Sequence, residues 1–163
     1  INFQWFCWHG FGSLGSPLQY SGQDPTIQEG YMNAKYSDYI QYGILWENSA
    51  VNVFGNDTAA NKSHFLTHTA PYWIEYFFKD PRYVKLDGRP MIGMFDYWAL
   101  RTAFGGEAGV LEVINDFREL CVAEGVVSTI ANNIIDGVTH DRVRSLRDEL
   151  DIDARSCTIG TVA

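Results

Sequence analysis

Between Phe78 and Trp98 the chain reads FKDPRYVKLDGRPMIGMFDYW, and this stretch restricts the fold more than any other. Pro81 disfavours helical geometry at Asp80, so a helix arriving from the amino-terminal side has to stop there. Asp87-Gly88 is a two-residue turn signal. Before it, Tyr83-Val84-Lys85-Leu86 alternates. After it and Arg89-Pro90, the run Met91-Ile92-Gly93-Met94-Phe95 is continuously apolar, as a strand covered on both faces has to be. The run ends in Asp96-Tyr97-Trp98. A carboxylate between aromatic rings at the carboxyl end of a buried strand is where parallel α/β proteins carry their chemistry.

The rest of the chain repeats the same logic. Ile1 to Trp8 is β-branched and aromatic and predicts a buried strand, followed from His9 to Gly22 by a long Gly-, Ser- and Pro-rich loop. Asp24-Pro25 predicts the start of a helix reaching about Tyr36. Tyr39 to Trp46 predicts a second strand ending in Glu47-Asn48, and Val51 to Ala60 a polar loop. A helix is expected from Ser63 to Phe78, interrupted at Pro71. After the hairpin, Ala99 to Gly106 is expected as loop. Glu107 to Glu124 predicts a helix with Val110, Ile114, Phe117 and Cys121 on one stripe and Gly125 as its stop. Val126 to Ile130 predicts a strand ending in Ala131-Asn132-Asn133, then a helix from Thr139 to Leu150 and a last strand from Ser156 to Val162.

Repeated βα units of this kind build a parallel sheet, open or closed into a barrel. Four or five units fit into the 163 residues, whereas eight need about 250. The chain also begins at Ile1, inside an apolar run. The expected fold is therefore α/β, the parallel βα units of a partial (β/α)8 TIM-like barrel forming a single domain over residues 1–163. Such a sheet exposes edges and an apolar patch, so self-association, or contact with the missing part of the barrel, is expected.

Composition narrows the partners. A net charge of −8 and a pI near 4.8 argue against nucleic acid and anionic membranes, both of which need a basic patch. There is no run of 18 apolar residues to span a bilayer. Five Trp and nine Tyr supply flat rings of the kind that sugar faces stack on, although core packing also takes up such rings. Cys7, Cys121 and Cys157 lack metal-ligand spacing and are expected to be buried thiols. No metal or other cofactor is implied. Asn56-Asp57-Thr58 and Asn61-Lys62-Ser63 match the N-glycosylation pattern and are expected in surface loop.

The strands deliver Trp8 and His9, then Trp46, Glu47 and Asn48, then Asp96, Tyr97 and Trp98, then Asn132 and Asn133 to their carboxyl ends. This set of carboxylates, amides and rings suits a carbohydrate ligand. It contains no Ser-His-Asp grouping, no phosphate loop and no histidine pair at metal spacing. Glu47 and Asp96 are the candidate catalytic acids. Trp8, His9, Trp46, Asn48, Tyr97, Trp98 and Asn132 are the candidate substrate contacts. Each has a structural alternative: Glu47 as a surface or capping acid, Asp96 as the cap of the following turn, His9 as a loop residue, Asn132 as a turn former. A glycosidase needs two carboxyls, about 5 Å apart for retention and further apart for inversion, so Glu47 and Asp96 can cooperate only if their strands are neighbours.

The run from Phe78 to Pro90, with an aromatic helix before it and an apolar strand after it, resembles the glycoside hydrolase family 99-like and glycosyltransferase WbsX-like group of (β/α)8 proteins. FQWFCWHGFG and Leu45-Trp46-Glu47-Asn48 are similar to that group's first strand and to one of its strand ends, so the resemblance covers roughly residues 1–125. It implies a TIM-like barrel acting on mannose-type or related polysaccharides, with family 99 members as retaining endo-α-mannan hydrolases. The group's acids lie in a Glu-x-x-Glu loop late in the barrel. This sequence has no counterpart, because Glu112 and Glu119 fall on the amphipathic helix. The resemblance thus implies a glycoside hydrolase whose main carboxylate pair lies outside this chain, secreted or periplasmic if it acts on exported glycans. A non-catalytic carbohydrate-binding module and a polysaccharide-biosynthesis glycosyltransferase are the alternatives.

Overall fold

The computed structural model of the protein describes residues 3–8, 26–48, 51, 53–127 and 130–133. The expected loop from His9 to Gly22, the start of the helix at Asp24-Pro25, the helix at 139–150 and the last strand at 156–162 lie outside the described residues, as does Cys157.

Strands β1 (Phe3–Trp8), β2 (Gln41–Trp46), β4 (Arg89–Met94) and β5 (Ile130–Asn133) run parallel, in the spatial order β1-β2-β4-β5. The short strand β3 (Lys85–Leu86) pairs antiparallel with the start of β4. The turn between them is Asp87-Gly88, with φ of 51° and 79°. Two successive positive φ values define the primed turn that matches strand twist, and Asp followed by Gly tolerates them. The protein is thus mixed α/β with a mostly parallel sheet.

Alternation along the strands gives the sheet two unlike faces. Trp8, Trp46 and Met94 are level with one another in the register, as are Phe6, Ile44 and Ile92. This face is covered by helices. A helical path runs from α1 (Thr58–His64) through a π-helical stretch (Phe65–Thr69), α2 (Ala70–Trp73) and a second π-helical stretch (Ile74–Phe78). Pro71 falls in the first turn of α2. The π geometry before it widens the backbone where the Pro71 ring would otherwise meet the carbonyl four residues back. The interruption expected at Pro71 is therefore a change of helical pitch.

Trp73 is the hub of the core. Its ring meets Trp46 at 5.0 Å, Trp8 at 5.3 Å, Phe65 at 5.6 Å and Phe117 at 5.8 Å, all near edge-to-face. Each such pair contributes about 0.5–1.5 kcal/mol beyond the area it buries. Phe117 comes from α4 (Glu107–Ala123), whose inward residues are Val110, Val113, Ile114, Phe117 and Cys121. The predicted stripe and its Gly125 stop, at φ 75°, are as expected.

On the other face, Trp5 lies across Gly43. A Cβ at Gly43 would stand 2.7 Å from Trp5 Cζ3 and 2.8 Å from Val84 Cγ1, so only glycine lets that ring lie so close to β2.

The structure corrects four local expectations. The stretch from Ala99 to Gly106 is mostly helix: α3 spans Tyr97–Phe104 and ends at Gly105, with φ 83°. The helix expected from Ser63 starts at Thr58, because the Asp57 carboxylate accepts the Ala60 N–H and caps it. Asn61 is buried, not surface loop. Its Oδ1 accepts from Phe54 N, and its Nδ2 donates to the Gly55 and Ala103 carbonyls. Cys7 is exposed, whereas Cys121 is buried as expected.

Candidate functional site

The strand ends are level. Glu47 N donates to Trp8 O at 2.9 Å and Phe95 N to Trp46 O at 3.0 Å, so the β1, β2 and β4 pairing continues one residue beyond each ladder. β2 and β4 are neighbours, which meets the condition for Glu47 and Asp96 to cooperate. Their side chains nevertheless diverge. By alternation Glu47 follows Leu45 on the face that carries none of the described helices, the face of Cys7, and Phe95 is its counterpart on β4. Asp96 is level with Asn48 on the helix side. Its Oδ1 accepts from Trp98 N at 2.8 Å and Ala99 N at 3.1 Å, which makes it the N-cap of α3.

The other predicted residues divide by burial. Trp8, Trp46 and Tyr97 are core side chains. Trp46 stacks on Phe65 at 5.4 Å, and Trp8 stacks on Tyr72 at 6.1 Å. Asn48 is buried as well, and its amide serves backbone: Oδ1 accepts from Phe95 N at 3.0 Å and Asp96 N at 2.8 Å, while Nδ2 donates to Asp96 O at 2.5 Å. In these positions Trp8, Trp46, Tyr97 and Asn48 build the edge instead of presenting it. His9 lies outside the described residues. Asn132 is in β5 opposite Gly93, one residue below the level of Met94.

Trp98 and Phe95 remain open, each 50% exposed. Against the Trp98 ring lies Arg101, a residue the sequence reading did not single out, with Cζ 4.6 Å from the ring centroid. Its Nη2 is 3.6 Å from Glu107 Oε1, while Nε and Nη1 are covered and have no hydrogen-bond partner among the described residues. The available signal was the Trp98–Arg101 spacing of three, which makes neighbours on a helix. A guanidinium against an indole is a cation–π contact that orients the ring.

Nearby, the Cys7 thiol is pushed up, first by partial desolvation and then by the Glu47 charge. A thiol held protonated in this way is a poor nucleophile. Among the described residues no three His, Cys, Asp or Glu side chains converge as a metal site, and no helix is long and apolar enough to cross a membrane.

No protein-family model, no curated protein and no solved structure matches the chain.

Proposed function

We propose that this chain forms part of the wall of a (β/α)8 barrel in a glycan-active protein, a glycoside hydrolase acting on mannose-type or related polysaccharides, whose main catalytic carboxylate pair comes from elsewhere in the protein. Two features support the barrel. The strand order β1-β2-β4-β5 never reverses, whereas an open doubly wound sheet reverses at its switch point. The described helices also lie on one face of the sheet, as in a barrel, whereas doubly wound sheets carry them on both. On this reading the face with Trp5, Cys7, Leu45 and Glu47 looks into the barrel.

The observation that carries the glycan reading is the half-exposed Trp98 indole at the carboxyl-terminal edge of the sheet, with Arg101 against its ring and Asp96 capping the helix that holds both. An indole offers a sugar its apolar face, and the guanidinium against it fixes the orientation of the ring. A non-catalytic carbohydrate-binding module is the second reading. One observation favours it: Glu47 and Asp96 lie on opposite faces, and the Asp96 carboxylate is committed to capping α3.

Titration with α-linked manno-oligosaccharides, followed by tryptophan fluorescence and by release of reducing ends from mannan, separates the readings. Binding with hydrolysis in the full-length protein supports the hydrolase, and binding without hydrolysis supports the module. Absence of binding to any oligosaccharide would sink both.

A further inference from the structure

The long helical path carries two histidines that the strand-edge site does not use. His64 closes α1 and His68 lies in the following π-helical stretch, so a spacing of four brings their rings together. The imidazoles stack with centroids 4.8 Å apart and planes 18° from parallel, and both are part-exposed. Phe54 meets the His64 ring at 5.7 Å and 65° and limits its rotation on that side.

Thr67 decides how His68 is protonated. Its Oγ1 is 2.7 Å from the Ser63 carbonyl oxygen, which can only accept, so the single hydroxyl hydrogen points there. The same Oγ1 is 2.8 Å from His68 Nδ1. With its hydrogen committed, Oγ1 accepts, and Nδ1 carries the proton. Assigned from this network, His68 is the tautomer whose Nε2 lone pair is available. A metal-ligating imidazole has the same arrangement, one nitrogen donating to a protein oxygen and the other coordinating.

We propose that His64 and His68 form a two-histidine site for a divalent transition-metal ion of the class imidazole prefers, Zn²⁺, Ni²⁺ or Cu²⁺. Two histidines four apart on one helical face are the zinc-binding pair of the metalloprotease helix motif. Here Phe65 follows the first histidine where that motif has a glutamate, so no general base accompanies the pair. Metal–nitrogen bonds of about 2.0–2.1 Å at a tetrahedral angle set the two ligating nitrogens about 3.3 Å apart. Binding therefore requires the two rings to turn out of their near-parallel stack so that their in-plane lone pairs converge. With two protein ligands, the remaining coordination positions go to water or an exogenous ligand.

The test is a titration of the protein with NiCl₂ and ZnCl₂, read by calorimetry and by the imidazole resonances in NMR. One saturable equivalent is expected, shifting the His64 and His68 resonances. His64→Ala and His68→Ala should each weaken binding at least about tenfold, and Thr67→Val, which frees the tautomer, about tenfold. His9→Ala and His140→Ala should bind like the parent protein. Unchanged affinity in His64→Ala and His68→Ala, or saturable binding that leaves both resonances in place, would overturn the site, as would absence of saturable binding.

Discussion

Tyr83 and Asn48 clasp β2 to β4 from opposite ends. The Tyr83 hydroxyl accepts from Ile44 N at 3.3 Å and donates to Met91 O at 2.8 Å, just before the β2–β4 ladder begins at Ile44 and Ile92. The Asn48 amide performs the same task two residues beyond Trp46, on the backbone of Phe95 and Asp96. Between them the ladder has register pairs only at Ile44–Ile92, Leu45–Gly93 and Trp46–Met94, so side chains complete what the backbone leaves open.

Removing the lower clasp should be costly for one atom. Tyr83→Phe keeps the buried ring but leaves the Ile44 N–H and the Met91 carbonyl without this partner, at a cost of about 2 kcal/mol. Chemical denaturation should show a lower midpoint with an unchanged slope. A midpoint equal to that of the parent would mean that both groups find other partners.

At the upper end, Asn48→Ala takes one partner from each of three backbone groups, of which Phe95 N keeps Trp46 O and Asp96 O keeps Leu100 N, and a loss of about 1–2 kcal/mol is expected. Asp96→Ala removes only the α3 cap, for about 1 kcal/mol. The two are distinguishable by hydrogen exchange. Asp96→Ala should speed exchange in α3 alone, whereas Asn48→Ala should do so in α3 and at Phe95 and Asp96. Identical patterns would show that Asn48 acts only through the cap.

Acid should unfasten the base of the sheet. Arg82 binds Asp80 through Nε at 3.0 Å and Nη2 at 2.8 Å, and reaches Ser37 Oγ at 2.9 Å with Nη1. Partial burial pushes the Asp80 carboxyl up, but the hydrogen bonds and charge of Arg82 and the Tyr42 hydroxyl together hold it below its ordinary value. An unfolded Asp titrates near 3.9. The unfolded chain therefore binds more protons below that pH, and this stabilisation is complete above about pH 5 and is lost as pH falls through the lower native value. In Arg82→Ala the fall in melting temperature across that window should be shallower. Arg82→Lys should restore little, because an ammonium lacks the two-pronged geometry. A parallel acid profile in Arg82→Ala would refute the assignment.

Trp98 is the residue whose loss should separate binding from folding. Trp98→Ala is expected to lower oligosaccharide affinity about tenfold, equivalent to about 1.4 kcal/mol, while the melting temperature moves by no more than a few degrees. Trp46→Ala, in the core, should do the reverse and unfold the protein by about 3–5 kcal/mol. Unchanged affinity in Trp98→Ala would remove the main support for the glycan reading.

The hairpin and α4 were legible in the sequence because their causes are local: two turn residues with compatible φ, and a stripe repeated over four turns. α3 was not. Two helical turns give too short a stripe to read, and its cap, Asp96, was equally plausible as a reactive acid. Asn61 looked like loop because its partners at Phe54, Gly55 and Ala103 are assembled only by the fold. For the site, strand-end position brought the candidates to one edge of the sheet, but sidedness depends on register. That is why Glu47 and Asp96, both correctly placed at strand ends, turn out to face apart, and why Trp8, Trp46 and Tyr97 are interior. The His64–His68 spacing was present in the sequence, but it lies on a helix, away from the strand ends where chemistry was sought.

The clasp around the start of β2 sits at the other end of the sheet from the half-exposed Trp98 indole. Asp80, Arg82 and Tyr83 grip the entrance to β2, where Tyr42 N donates to Arg82 O at 3.1 Å and Val84 N to Tyr42 O at 2.7 Å. The clasp and the exposed ring thus occupy separate territories along the same strands. Substitutions at the carboxyl edge can change what is exposed there while leaving the lower grip untouched. A motif of this kind specifies a frame, and sharing it would carry no information about substrate.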